Sequence, residues 1–498
     1  MSSTLSRRAF FGGIAIGGAS VALAGVTGCI PDKEENDVQT QNWTREVGLL
    51  ICGSGGAGLS CALEAFDNGE RDILIIEKQS VFGGTTSTSQ GMIGGYETQL
   101  QKKASIKLTY EEMYDNLMHN ALYRLDPELT AITIRRSGES VDWLIDRIKV
   151  PFMEDVYVGY GPLKMMHIVI GGGGGLIDAL LDQIYIADIP LEADTKLLSI
   201  IMDADGKPAG ATVQTDSGIE TIKAKAIVIA TGGYANNPVL SELFDPTKAG
   251  TFGIGYPGSM GEGIVAASNI GAATSHTNDM MCVLKDYVIM TEHNGTSASA
   301  NVNGFTNLRN MILVGAAGKR FCNEDLKGFL TQSLNDPVFD QMHRDGRGYV
   351  WMISDQATVA ATNGATFRGA GLSYVTANDP ESLAKALNVD LAGLKATIEA
   401  YNEAVETGVD TEFGRFPTRT LEPPYVALPV VPCEIITYGG IARNANSEVI
   451  RADGSVIPAL YAAGETSCNS AYMGFTISNS ITWGRICGKN ATAYIASL

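Results

Sequence analysis

The chain has 498 residues, a formal net charge of -19, 45% hydrophobic residues and 18% charged residues. That length exceeds one simple hydrophobic core and implies two domains, and the apolar content excludes a disordered chain. The excess of acid excludes nucleic acid and anionic lipid headgroups as partners, because both would be repelled.

Residues 1–28 read as a processing segment. Arg7-Arg8 precede Phe10-Phe11 and an apolar, Gly/Ala-rich run from Gly12 to Gly28, the pattern of a twin-arginine export signal. The run is short and weakly apolar for a membrane span. Val26-Thr27-Gly28-Cys29 resembles the lipobox of bacterial lipoproteins, so Cys29 is the expected lipid-bearing first residue, on the extracytoplasmic face of the cell membrane. A plain secretory signal is the alternative. Residues 29–45 then form a polar tether.

Glu46–Cys52 predicts a buried strand, Gly53–Gly58 a G-x-G-x-x-G turn, Leu59–Asn68 a helix, and Arg71–Ile76 a second strand ending in Glu77-Lys78. An acid about 20 residues past the glycines completes a dinucleotide-binding βαβ unit. Gly53, Gly55, Gly56, Ala57 and Gly58 would set backbone N–H groups and a helix N-terminus against a pyrophosphate. Glu77, beside Lys78, would accept hydrogen bonds from ribose hydroxyls and repel a 2′-phosphate.

The stretch that follows, Gly83-Gly84-Thr85-Thr86-Ser87-Thr88-Ser89-Gln90-Gly91, supplies donors to a second nucleotide half through Gly83, Gly84, Thr85, Thr86, Ser89 and Gly91. A nicotinamide enzyme has no use for donors there. "GSGGAG…EKQSVFGGTTSTSQG" closely resembles the FAD-binding flavoproteins of the fumarate reductase group, which includes soluble flavocytochrome fumarate reductases, urocanate reductases and ketosteroid dehydrogenases. The resemblance continues through "AIVIATGG" (226–233), "MGEGIVAASNIGA" (260–272, with Met260 and Glu262 where the family pattern has Thr and Asp) and "GKRFCNE" (318–324). It extends over "YNEAVETGVDTEFGR" (401–415), Pro423-Pro424-Tyr425, "TYGGIARN" (437–444), "ALYAAGET" (459–466) and "ITWGRICG" (481–488).

This resemblance implies an α/β fold: a discontinuous Rossmann-like FAD-binding domain, residues 46–280 and 433–498, with an inserted α+β capping domain at 281–432. It implies FAD as cofactor, with Thr231, Gly232, Gly464, Glu465, Ser480 and Ile481 beside it. Leu460–Gly464 would be the last strand, and Ile477–Ala493 a helix whose N-terminus faces the flavin. Gly171–Gly175 is read as a loop before a helix that begins at Leu176. Cysteines without C-x-x-C spacing, and histidines without ligand spacing, predict no metal, iron–sulfur cluster or haem.

The sequence departs from the fumarate reductases where these bind a dicarboxylate. Gly328 stands in place of the family's proton-donating arginine, Ile436-Thr437-Tyr438-Gly439-Gly440 replaces His-Thr-x-Gly-Gly, and Ser470–Ser478 puts Tyr472 near the place of the carboxylate-binding arginine. Without those cations the site is unsuited to fumarate. Tyr438, Tyr472, Met473 and Phe475 suit an apolar or aromatic α,β-unsaturated carbonyl compound, with a phenol as proton donor. Tyr472, Tyr438 and Lys327 are the catalytic candidates. The reading is an exported FAD-dependent reductase that passes hydride to such a small-molecule organic acceptor. Its electrons would come from a separate donor, a membrane quinol oxidase or cytochrome. A ketosteroid-type dehydrogenase running oxidatively, and a non-catalytic flavin electron carrier, are the alternatives.

Overall fold

A computed structural model describes residues 42–159, 161–292, 310–324, 331–361, 374–417, 419–467, 471–472 and 474–498. Arg7, Arg8, Cys29, Lys327 and Met473 lie outside the described residues.

Strand Arg45–Cys52 occupies the middle of an eight-stranded sheet. Ile73–Ile76 and Gly218–Ile229 flank it in parallel, with Leu191–Glu192 and Val456–Ala462 beyond them. Its apolar run is continuous because both faces are covered. Leu50 and Cys52 enter one core, and Leu49 and Ile51 enter the other, as the two-residue period of a strand requires. On the second face, helices Gly56–Asp67 and Thr476–Ala496 meet at backbone distance. A Cβ on Gly484 would stand 2.3 Å from the Ala57 carbonyl oxygen, and one on Gly488 would stand 2.3 Å from that of Cys61.

The second sheet gathers Phe252–Gly253, Met280–Asp286, Ile312–Val314, Val350–Asp355 and Val375–Ala377 around the 13-residue strand Tyr425–Thr437. The division expected between 432 and 433 falls inside that strand, where Cys433 and Glu434 pair with Phe252 and Gly253. The long strand therefore crosses the expected division without a break. The glycine run also differs from its reading as a loop, since the helix spans Gly172–Ile186. Those glycines are its first turn, packed so tightly that a Cβ on Gly173 would lie 1.9 Å from the Thr86 carbonyl oxygen. Among the described residues no helix is long and apolar enough to cross a membrane.

Glu434 is fully buried on the long strand. Ser241 Oγ donates to its Oε2 at 2.6 Å, while Oε1 has no hydrogen-bond partner among the described residues. Burial pushes this carboxyl up to about 8. The folded chain therefore keeps a proton that the unfolded chain releases near the ordinary glutamate value of about 4.3. Stability is lost as pH rises between those values and is flat above the folded value. Glu434→Gln, which stays neutral, is expected to match the wild type near pH 5 and to melt higher at pH 9. Thermal unfolding across that range checks it.

Candidate functional site

The carboxyl ends of the parallel strands frame a cleft. Cys52, Ile76, Ala230 and Ala463, at or just past the ends of four strands, line it, and it encloses about 770 Å³. Clefts at this end of an open parallel sheet bind nucleotides, because the crossover connections diverge there. The helix Gly56–Asp67 begins at the cleft with no side-chain cap from Gly55 and no acid in its first turn, so its positive end faces the cleft and suits an anion. A Cβ on Gly55 would have nothing nearer than 3.8 Å, and one on Gly84 nothing nearer than 3.6 Å. Both glycines thus leave open space where a ligand approaches the backbone.

At the far side of the turn, Glu77 is nearly buried. Its Oε2 accepts from Ser54 N at 3.0 Å and from Ser54 Oγ at 2.8 Å, and its Oε1 accepts from Gln79 N at 3.0 Å. A carboxylate has about four acceptor sites, so three bonds orient the group and leave capacity for a ribose hydroxyl. Lys78 Nζ turns to Glu262 at 2.7 Å. Thr86 Oγ1 accepts from Gly56 N at 3.2 Å, tying the second donor segment to the first.

Of the residues predicted at the cofactor, the cleft wall holds Gly53, Gly55, Gly56, Ala57, Glu77, Lys78, Gly84, Thr85, Thr86, Thr231, Gly232, Gly464, Glu465 and Ser480. Five others are not among the residues that line this cleft and have other contacts. Gly58 lets the helix close on its own turn, since a Cβ would lie 1.9 Å from the Gly53 carbonyl oxygen. Gly83 donates to Ser54 Oγ at 3.2 Å, and Ser89 Oγ donates to the Thr86 carbonyl at 2.7 Å. A Cβ on Gly91 would come within 2.5 Å of the Gly172 backbone, and Ile481 is buried in the core between the two helices. The sequence reading missed Thr195, Lys196, Leu197, Tyr256 and Ser259, which also line the cleft, along with an assignment for Glu262. The Gly-Tyr-Pro-Gly-Ser turn at 255–259 is the signal that would have pointed to two of them.

Glu465 links the cleft to a second cluster. Its Oε1 accepts from Thr437 N at 2.9 Å and from Thr437 Oγ1 at 3.4 Å, and burial pushes its carboxyl up to about 7. The next residue is Tyr438, whose ring stacks on that of Tyr472 with centroids 4.1 Å apart and planes 18° apart. Both predicted tyrosines are thus buried side by side, packed with Met118, Ala121 and Leu125 and flanked by Tyr114, Met281 and Ile436. Tyr472 donates its hydroxyl to Asp279 Oδ2 at 3.3 Å, and Asp279 Oδ1 meets Arg124 Nη2 at 2.8 Å. Neither Asp279 nor Arg124 carries a local sequence signal, since Tyr472 and Asp279 are 193 residues apart in the chain. Lys327, the third candidate, is outside the described residues.

A helix N-terminus facing the cleft, an oriented acid after the second strand and a second set of donors define a dinucleotide-binding flavoprotein. The family model described as "FAD binding domain" matches residues 48–477, and the chain belongs to that family. FAD is its cofactor, and the open glycines and the spare acceptor of Glu77 fit that group. The chain is 29% identical over 460 residues to "Fumarate reductase (cytochrome)" of Shewanella frigidimarina, covering 90% of this chain and 77% of that one. It is 25% identical to "Digoxin reductase" of Eggerthella lenta, covering 98% of this chain and 97% of that one. Among solved structures, 3-ketosteroid delta1-dehydrogenase from Sterolibacterium denitrificans, in complex with 1,4-androstadiene-3,17-dione, has the same fold. Its TM-score is 0.77 at 19% identity, with 90% of this chain and 100% of that one covered. Among the described residues no group of three or more His, Cys, Asp or Glu is placed to hold a metal ion.

Glu77→Gln puts an amide where Ser54 donates twice. Losing charge-assisted bonds of about 1.5–3 kcal/mol is expected to weaken FAD binding by roughly tenfold or more. Titration of the apoprotein with FAD, followed by flavin fluorescence, measures this directly.

Proposed function

We propose that this FAD-dependent oxidoreductase, acting on CH–CH groups, reduces the C=C bond of an apolar or aromatic α,β-unsaturated carbonyl compound. FAD, when bound, supplies hydride chemistry at the β-carbon. The chain's own residues bind the acceptor, exclude water and deliver a proton to the α-carbon. Tyr472 is the proposed donor, Tyr438 supports it by stacking, and Lys327 is retained as a second candidate. The observation that carries this reading is the stacked phenol pair set in a wall of Met118, Ala121 and Leu125. Such a wall binds through apolar area and offers no pair of cations to a dicarboxylate. Arg124, the arginine that reaches the cluster, is already matched by Asp279. The name of one similar protein, a digoxin reductase, supports an uncharged polycyclic acceptor, whereas a more identical relative is named a fumarate reductase.

The Arg7-Arg8 signal and Cys29 support export and lipid anchoring on the extracytoplasmic face, and with them a respiratory role. Electrons would come from a membrane quinol oxidase or a separate cytochrome. The same groups serve the oxidative direction, in which Tyr472 removes a proton instead of giving one. Its hydrogen bond to a carboxylate suits that role as well.

The test is anaerobic reoxidation of the dithionite-reduced holoprotein by a panel of fumarate, cinnamates, flavonoids and steroid enones. Apolar enones are expected to reoxidise the flavin and fumarate is not; rapid turnover of fumarate overturns the reading. Tyr472→Phe is expected to keep FAD and to slow reoxidation on the order of 10²-fold. A variant as fast as the wild type removes Tyr472 as donor.

A further inference from the structure

Asp279 is a carboxylate 1% exposed in a cluster that is otherwise apolar and phenolic. Its contacts tie it to both the phenol and the guanidinium. Oδ2 accepts the Tyr472 hydroxyl at 3.3 Å, Oδ1 meets Arg124 Nη2 at 2.8 Å, and its backbone carbonyl accepts from Tyr438 N at 2.8 Å. Arg124 keeps a third of its side chain in solvent, so the sealed carboxylate joins the buried phenol to a group that touches water. Two further titratable residues stand beside Asp279, Tyr234 and His276, and His276 Nδ1 is buried with no hydrogen-bond partner among the described residues. Tyr234 donates to the Thr277 carbonyl, and burial, with the charges of Glu434, Asp279, Glu465 and Asp245, pushes its phenol up. His276 accepts from Asp279 N through its backbone carbonyl at 2.9 Å.

From this arrangement we propose that Arg124 and Asp279 are positioning residues that hold the Tyr472 phenol protonated and reload it from solvent. The inference rests on Tyr472 being the proton donor of the reaction proposed above. At rest the three groups carry one positive charge, one negative charge and a neutral phenol. When Tyr472 gives its proton to the α-carbon, an O–H bond breaks, a C–H bond forms, and a phenolate is left beside a carboxylate. Two anions this close disfavour each other's charge, so the pair takes up one proton. That proton comes from water on the Arg124 side and passes along the Asp279–Tyr472 hydrogen bond, which restores phenol and carboxylate. No oxidant or reductant enters this half of the reaction.

The charge pattern predicts shifts of opposite sign for the two partners. In Asp279→Asn, Arg124 is left facing the phenol without its counter-ion, and Tyr472 is expected to ionise at a pH lower by about one unit or more. In Arg124→Gln the lone carboxylate is expected to push Tyr472 ionisation to higher pH. A structural lesion alone would not produce opposite shifts. The readout is NMR titration of FAD-loaded protein carrying [13Cζ]tyrosine, with Tyr472→Phe assigning the signal. Asp279→Glu is expected to restore wild-type titration, and it covers the case in which Asp279→Asn does not fold. Equal titration in wild type and Asp279→Asn, or shifts of the same sign in Asp279→Asn and Arg124→Gln, overturns the proposal; if Asp279→Asn does not fold, an unshifted Arg124→Gln does so. The titration needs no substrate. It therefore fails separately from the enone reading, which falls if fumarate is turned over or if Tyr472→Phe reoxidises at the wild-type rate.

Discussion

The architecture depends on one close contact, the backbone approach of helix Thr476–Ala496 to helix Gly56–Asp67. With glycine at 484 and 488, the carbonyl oxygens of Ala57 and Cys61 come within reach of the partner helix backbone. Any side chain there would force the helices apart. The contact pins the C-terminal end of the fold against the N-terminal βαβ unit, so everything between is an excursion that must return. Helix Thr476–Ala496 also carries Ser480 into the cleft wall. Gly94 N donating to the Gly474 carbonyl at 2.9 Å, and Ser478 Oγ donating to the Gly94 carbonyl, lock the segment 474–478 to a neighbouring strand.

From that anchor the polar and apolar halves of the site separate. The cofactor half is built from backbone N–H groups, hydroxyls and one oriented carboxylate, which suits a pyrophosphate and a ribose. The other cluster offers methionine, leucine and stacked phenols, with the Arg124–Asp279 ion pair beside them. Fold-level likeness to a fumarate reductase says little about substrate when the groups that meet it have changed.

The first module was legible because its determinants are local. The apolar run ending at Cys52, the glycines, the small-residue helix and Glu77 lie within about thirty residues, and period and turn chemistry suffice to place them. The glycine run at 171–175 was read as a loop because it resembles the loop that precedes this helix in the family. It is helical because Gly173 must pass the Thr86 carbonyl, a tertiary demand that no local pattern expresses. Gly58, Gly83, Ser89, Gly91 and Ile481 share motifs with true lining residues, yet a motif does not say which of its residues line the cleft. Asp279 and Arg124 were invisible for a simpler reason. Each is an ordinary charged residue between apolar elements, and only the packed chain brings them to Tyr472.

The two halves of the site meet at Glu465. Its carboxyl stands in the cleft wall and accepts from the backbone N–H of Thr437, the last residue of the long strand that leads out of the cap. Tyr438 follows directly and stacks on Tyr472. The long strand and the cofactor wall therefore meet at a single hydrogen-bonded residue. Because burial pushes Glu465 up to about 7, its charge changes near neutral pH, where a buried carboxylate without a cation is costly. One buried carboxyl group thus joins the wall of the cofactor cleft to the backbone that leads into the tyrosine pair.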